Sequence, residues 1–175
     1  MSKIAILIPG LFALLLFNGG CNSKSTKSQD DTSTTESKNQ MKENELNAFG
    51  KKYAEAWCSQ KPESVAEFFA DSGSLTVNNG SPAVGRIAIA KVAEGFMTAF
   101  PDMIVAMDSL TTKSNGLEFH WTLTGTNTGP NGTGKKVRIS GFELWQIDKD
   151  GLIGESKGSF DSEEYNRQLV NGVTN

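Results

Sequence analysis

The sequence predicts an α+β fold, with N-terminal helices laid on one face of a curved, mostly antiparallel sheet. Two observations carry that prediction. Apolar residues recur at helical spacing through the first half of the folded region and then switch to alternation. The alternating stretches are separated by turns rich in Asn, Gly and Asp, the punctuation of hairpins. Helices followed by a run of strands make an α+β domain.

Leu46, Phe49, Tyr53, Ala56 and Trp57 set a first helix from about Asn44 to Ser59. Pro62 suits the first turn of a shorter second helix carrying Val65, Phe68 and Phe69 inward. Asp71–Asn78 reads as a strand, ended by Asn79-Gly80-Ser81-Pro82. A third helix follows Gly85, with Ile89, Val92, Phe96 and Phe100 on its apolar face, and Pro101 stops it. Strands are predicted at Met103–Thr112, Leu117–Thr126, Lys135–Ile147 and Leu152–Phe160. A last helix covers Ser162–Val170.

The N-terminus has a different character. Lys3 precedes an apolar run from Ile4 to Phe17, then Asn18-Gly19-Gly20-Cys21, the layout of a secretory signal. The run is shorter than the roughly 17–25 residues that span a bilayer. The cysteine after two glycines resembles the lipobox of bacterial lipoproteins, although Asn18 stands where that motif usually has Leu. The resemblance implies a signal peptide over 1–20, lipidation of Cys21 and a membrane-anchored protein of the cell envelope, facing periplasm or cell surface. An ordinary signal peptide cut elsewhere is the alternative. Residues 21–43 are polar and predict a disordered tether, because they cannot bury enough surface to offset ordering entropy. The folded domain is then 44–172.

Composition narrows the function classes. The 175 residues carry 17 basic and 20 acidic side chains, a net charge of −3, with no basic stripe to neutralise phosphates, so nucleic acid is not the expected partner. The two cysteines are Cys21 and Cys58; with Cys21 lipidated, Cys58 reads as a structural thiol. His120 is the one histidine, which leaves no ligand cluster at metal spacing and no expected metal. No cofactor motif is present either.

Several segments in order resemble the SnoaL-like, polyketide cyclase-like branch of the nuclear transport factor 2-like superfamily. They are Tyr53-Ala-Glu-Ala-Trp57, Phe68-Phe-Ala-Asp-Ser-Gly-Ser-Leu75, Gly85-Arg86 with Ile89, Phe96 to Asp102, Trp121 to Gly129, and Gly151 to Asp161. The resemblance implies a cone: a strongly curved sheet wrapped around the helices, an internal pocket at the wide end, and in many relatives a homodimer through the sheet. Relatives include cyclases that close rings by an intramolecular aldol step without a cofactor. Others run different chemistry on the same fold, so the site residues must carry any functional claim.

In the cyclases an aspartate near the end of the last strand acts as general acid/base, and Asp161 matches it. Asp161-Ser-Glu-Glu164 equally has the form of a helix start, with Asp161 as cap. Two positions depart from the family: Lys157 replaces a usual Trp, and Asn127 replaces the His of a Gly-Thr-His pattern. By alternation Lys157 shares a face with Ile153, Glu155, Ser159 and Asp161. On a pocket wall it would polarise a carbonyl; on a solvated face it would form an ion-pair ladder. His120, the one imidazole of the chain, is the third catalytic candidate. Trp57, Phe69, Trp121 and Glu143 are the expected pocket residues. Glu143 shares parity with Val137 and Trp145, which puts it on the packed face with a raised pKa unless a bulge near Gly141 intervenes.

Three functional readings follow. The first is a lipid-anchored protein whose domain binds a small, largely apolar molecule. The second is a cofactor-independent cyclase- or isomerase-type enzyme using Asp161. The third is a dimeric protein-interaction module.

Overall fold

A computed structural model describes residues 30–174, with side chains from 42 onward. The predicted signal segment and Cys21 lie outside the described residues. No helix among the described residues is long and apolar enough to cross a membrane.

The first helix, α1, spans Asp30–Cys58. It therefore starts well before Asn44 and takes in the later part of the segment predicted as a tether. The stretch from Asp30 to Phe49 contains neither Gly nor Pro, so nothing breaks the helix on the N-terminal side of its packed portion. That portion carries Tyr53, fully buried, and Trp57 inward. At its end the Cys58 thiol donates to the Val105 carbonyl at 3.4 Å and accepts from the Val105 N–H at 3.1 Å, joining the helix to the sheet.

Helix α2 is a single turn, Pro62–Ala66. Phe69 belongs not to that helix but to strand β1, Phe69–Val77. A two-residue strand β2, Ala83–Val84, pairs back on β1 where the sequence predicts only a turn. Helix α3 covers Arg86–Ala99. Its inward face runs through Ile89, Ala93 and Met97, with Val92 and Phe96 only partly buried. The helix is thus rotated from the predicted phase, and small Ala93 seats it close to its neighbours while Phe96 moves to the flank. Strands β3 (Ile104–Lys113), β4 (Gly116–Thr126), β5 (Lys136–Ile147) and β6 (Ile153–Phe160) follow, then α4 (Ser162–Asn171).

The six strands form one sheet in the order β2-β1-β6-β5-β4-β3. β1 runs parallel to β6; the other pairs are antiparallel. The α+β class holds, but the cone does not. The sheet is open and mixed, neither strongly curved nor closed: its edge strands β2 and β3 do not meet. The predicted internal pocket is absent as a chamber, because aromatic rings fill the space between α1 and the sheet. Tyr53 packs edge-on against Phe119 and Trp145 at 5.5 and 5.0 Å between centroids, and those two rings stack at 4.7 Å. Such close packing leaves little void.

Three irregularities set which side chains face the helices. β1 shifts register between Phe69 and Ser74, and β3 between Met107 and Ser109. β6 shifts beside Ile153, which sends Ile153 into the core and turns Glu155, Lys157 and Ser159 outward. Ser156, Gly158 and Phe160 consequently face inward.

Candidate functional site

At one end of the core, Trp57 and Phe96 from the helices meet Leu75, Trp121, Gly158 and Phe160 from the sheet around a shallow apolar cleft. Its free volume is about 50 Å³. One water needs roughly 10–15 Å³, and a cavity of about 150 Å³ takes benzene, so the cleft as it stands accepts only a few heavy atoms. No titratable side chain lines it.

Gly141 makes this arrangement geometrically possible. It pairs with Trp121 across β4–β5, and a Cβ there would lie 2.6 Å from Trp121 Cζ2 and 2.5 Å from the Ser159 carbonyl. The indole lies in the space that a side chain at 141 would take. Its Nε1 is buried and, among the described residues, is the one buried side-chain nitrogen or oxygen with no hydrogen-bond partner.

Behind the cleft lies a buried carboxylate. Glu143 pairs with Gly158 across β5–β6, and its Cγ lies 3.5 Å from where a Gly158 Cβ would be. No bulge intervenes at Gly141, so the packed-face placement predicted for Glu143 is the observed one. Three donors converge on Oε2: Ser156 Oγ at 2.6 Å, Trp145 Nε1 at 2.9 Å and the Tyr53 hydroxyl at 3.1 Å. Burial pushes the Glu143 carboxyl above the usual range, and the three hydrogen bonds pull back. Tyr53 is likewise pushed well up, by burial first and by the neighbouring Glu143 second.

The other predicted residues are scattered. Asp161 is exposed and caps α4: its Oδ1 accepts from the N–H groups of Glu163 and Glu164 at 3.0 and 2.9 Å. It follows the cleft residue Phe160 in the chain but does not itself line the cleft. Lys157 lies on the outer sheet face, paired with Glu155 at 3.0 Å. This is the ion-pair ladder and not a pocket wall. His120 is on the same outer face, 2.6 Å from Glu118, whose carboxyl is held below the usual range chiefly by that hydrogen bond. Phe69 is fully buried core. Trp57 and Trp121 do line the cleft. Asn127 has a structural job: its side chain donates to the Ala99 carbonyl at 3.2 Å and accepts from the Thr133 N–H at 2.8 Å. Sequence reasoning missed Gly158, Phe160 and Ser156. The signal was present in the opposite parity to Lys157, once the register shift beside Ile153 is allowed for.

The fold recurs widely at low sequence identity. A phenazine biosynthesis-related protein from Pseudomonas aeruginosa superposes with a TM-score of 0.58 at 16% identity, over 77% of this chain and 93% of its own. A candidate SnoaL-like polyketide cyclase from Jannaschia sp. CCS1 gives 0.58 at 13%, over 86% and 100%. AclR from Streptomyces galilaeus, a candidate hydroxylase, gives 0.61 at 19%, over 73% and 82%. No curated protein is significantly similar in sequence. The family model for the SnoaL-like polyketide cyclases, however, matches residues 48–169, from the packed half of α1 through Leu169 of α4. With most of the chain and all of its sheet inside that match, the protein belongs to the SnoaL-like polyketide cyclase family.

Proposed function

We propose that this domain is a cofactor-independent enzyme of the cyclase or isomerase type, moving a proton on a small, largely apolar carbonyl compound held at the cleft. The observation that carries the reading is an apolar cleft in a SnoaL-like domain, walled in part by Phe160, with the Asp161 carboxylate next along the chain. Asp161 spends Oδ1 on capping, while Oδ2 has no partner among the described residues. Capping and acid/base work therefore do not compete for the same oxygen. Proton removal next to a carbonyl needs a basic oxygen beside the bound ketone, and a carboxylate can take the proton and return it. The match to the SnoaL-like polyketide cyclase family supports an enzymatic over a purely binding role.

The test is exchange of the α-protons of cyclopentanone in deuterated water, followed by NMR with and without the protein. Exchange above background is expected, and Asp161→Asn, which keeps a good cap, should lose it at unchanged stability. Absence of exchange in the parent protein would remove the enzymatic reading for ketones.

The N-terminal reading is also ours: a lipid on Cys21 would place this domain at the cell envelope membrane, on whatever apolar molecules are found there. It rests on the sequence layout of residues 1–21. A dimer through the outer sheet face is the remaining proposal of this group; the half-exposed Phe142 on that face is what favours it.

A further inference from the structure

Trp121 and Phe160 flank Gly141 from the strands on either side of it: Trp121 pairs with Gly141 across β4–β5, and Phe160 pairs with it across β5–β6. The glycine leaves room for both, since a Cβ there would lie 2.6 Å from Trp121 Cζ2 and 3.0 Å from Phe160 Cβ. The two rings pack edge-on at 6.1 Å between centroids. Beside them lies a second apolar void of about 10 Å³, lined by Ile139 and Tyr165 together with Phe96, Trp121, Leu123 and Phe160. The last four also line the cleft, so they form the wall between the two spaces. Within that wall Trp121 and Leu123 sit inside β4, whereas Phe160 ends β6. Its main chain is nonetheless fixed. Pairing of β1 with β6 stops at Val77 and Gly158, and Asn78 extends the contact by one step. Its N–H donates to the Gly158 carbonyl and its Oδ1 accepts from the Phe160 N–H, both at 2.8 Å.

We propose that Phe160 sets the upper size of the ligand: its ring keeps the cleft and the second void apart, and Asn78 is the positioning residue that holds it there. This rests on the cleft being the ligand site. Both spaces present apolar surface alone, so binding follows shape and buried area and not hydrogen bonding. With the ring in place, only a few heavy atoms are enclosed. Deleting it joins the two voids and adds a space about the size of benzene, a molecule that a cavity of about 150 Å³ accommodates. In an apolar pocket, one methylene too many changes binding by about tenfold or more.

The experiment compares cyclopentanone with cyclooctanone, the same functional group on a larger ring, by ¹⁵N-resolved NMR titration of the parent protein and its variants. The parent should bind cyclopentanone at least about tenfold tighter than cyclooctanone, and Phe160→Ala should reverse that order. Asn78→Gly keeps the positive φ of 49° and loses the acceptor, so it should erode the parent's preference; Asn78→Asp keeps both and should restore it. If Phe160→Ala retains the parent's order, the inference fails and the cleft remains a ligand site. If Asn78→Gly discriminates as the parent does, Asn78 is not the positioning residue. If the parent binds neither ketone, the cleft reading itself falls and takes the inference with it. A circular dichroism melt of each variant guards against unfolding. Should Phe160→Ala not fold, Phe160→Leu decides: the ratio of the two affinities must move toward cyclooctanone, and an unchanged ratio overturns the proposal.

Discussion

Removing the Ser156 hydroxyl tests whether Glu143 is held as the geometry indicates. Ser156→Ala deletes the shortest of three bonds to Oε2, at 2.6 Å, and leaves those from Trp145 and Tyr53 at 2.9 and 3.1 Å. A hydrogen bond to a buried charged group contributes about 1.5–3 kcal/mol. A loss of about 2 kcal/mol corresponds to a melting temperature roughly 7 °C lower for a domain of this size. The pH dependence is the sharper readout. Burial holds the Glu143 carboxyl above the ordinary 4.5, so the native state keeps its proton to higher pH than the unfolded chain. The stabilisation from Glu143 is then full below the unfolded value and is lost as pH rises through the folded value. The Ser156 bond favours the ionised form. Deleting it raises the folded value further, so the variant should lose more stability at pH 8 than at pH 5. Glu164 acts with the opposite sign. Arg167 first and Gln168 second hold it down to about 2, so its contribution fades only below that window. Urea unfolding followed by tryptophan fluorescence at both pH values gives the answer. A loss under about 0.5 kcal/mol, or an equal loss at the two pH values, would refute this account of the cluster.

Gly158→Ala puts a Cβ 3.3 Å from the Thr76 carbonyl and 3.5 Å from Glu143 Cγ, tight but tolerable contacts. Stability should fall by no more than about 1 kcal/mol, while cyclopentanone binding, read by NMR titration, should drop several-fold as the cleft floor fills. Glu143→Gln should cost stability yet keep deuterium exchange, whereas Asp161→Asn should do the reverse; the opposite pattern would move the base from Asp161 to Glu143. Full-length Cys21→Ser protein, expressed in a bacterial host, should leave the membrane fraction on cell fractionation, and retention there would end the lipid-anchor proposal.

Much of the fold was legible because its signals are local. The turn at Ser114-Asn115-Gly116 and the alternation from Leu117 to Leu123 fix β4 and its inward face without tertiary information. The capping pattern at Asp161 likewise fixes the start of α4. What failed was anything set by register. Plain alternation puts Lys157 on one face with Ile153, and the shift beside Ile153 separates them. The largest residues of α3 predict one phase, whereas small Ala93 lies on the side that is buried. The cone was expected from family likeness, and the open sheet follows from strand pairing that no single segment announces. Parity alone puts Glu143 on the packed face, where it lies, although it does not line the cleft.

The two faces of the sheet divide the chemistry. Glu118, His120, Glu155 and Lys157 all lie outward, paired with one another in solvent, where exposed ion pairs contribute little. The inward face lines the cleft with apolar groups alone and keeps Glu143 one glycine behind the wall. A reaction at this cleft therefore cannot use the histidine or the lysine that the sequence nominates, whatever their intrinsic pKa values. The carboxylates that come nearest in the fold's own order are Asp161, next along the chain from Phe160, and Glu143, opposite Gly158. At its outward position the charged side chain of Lys157 costs the core nothing.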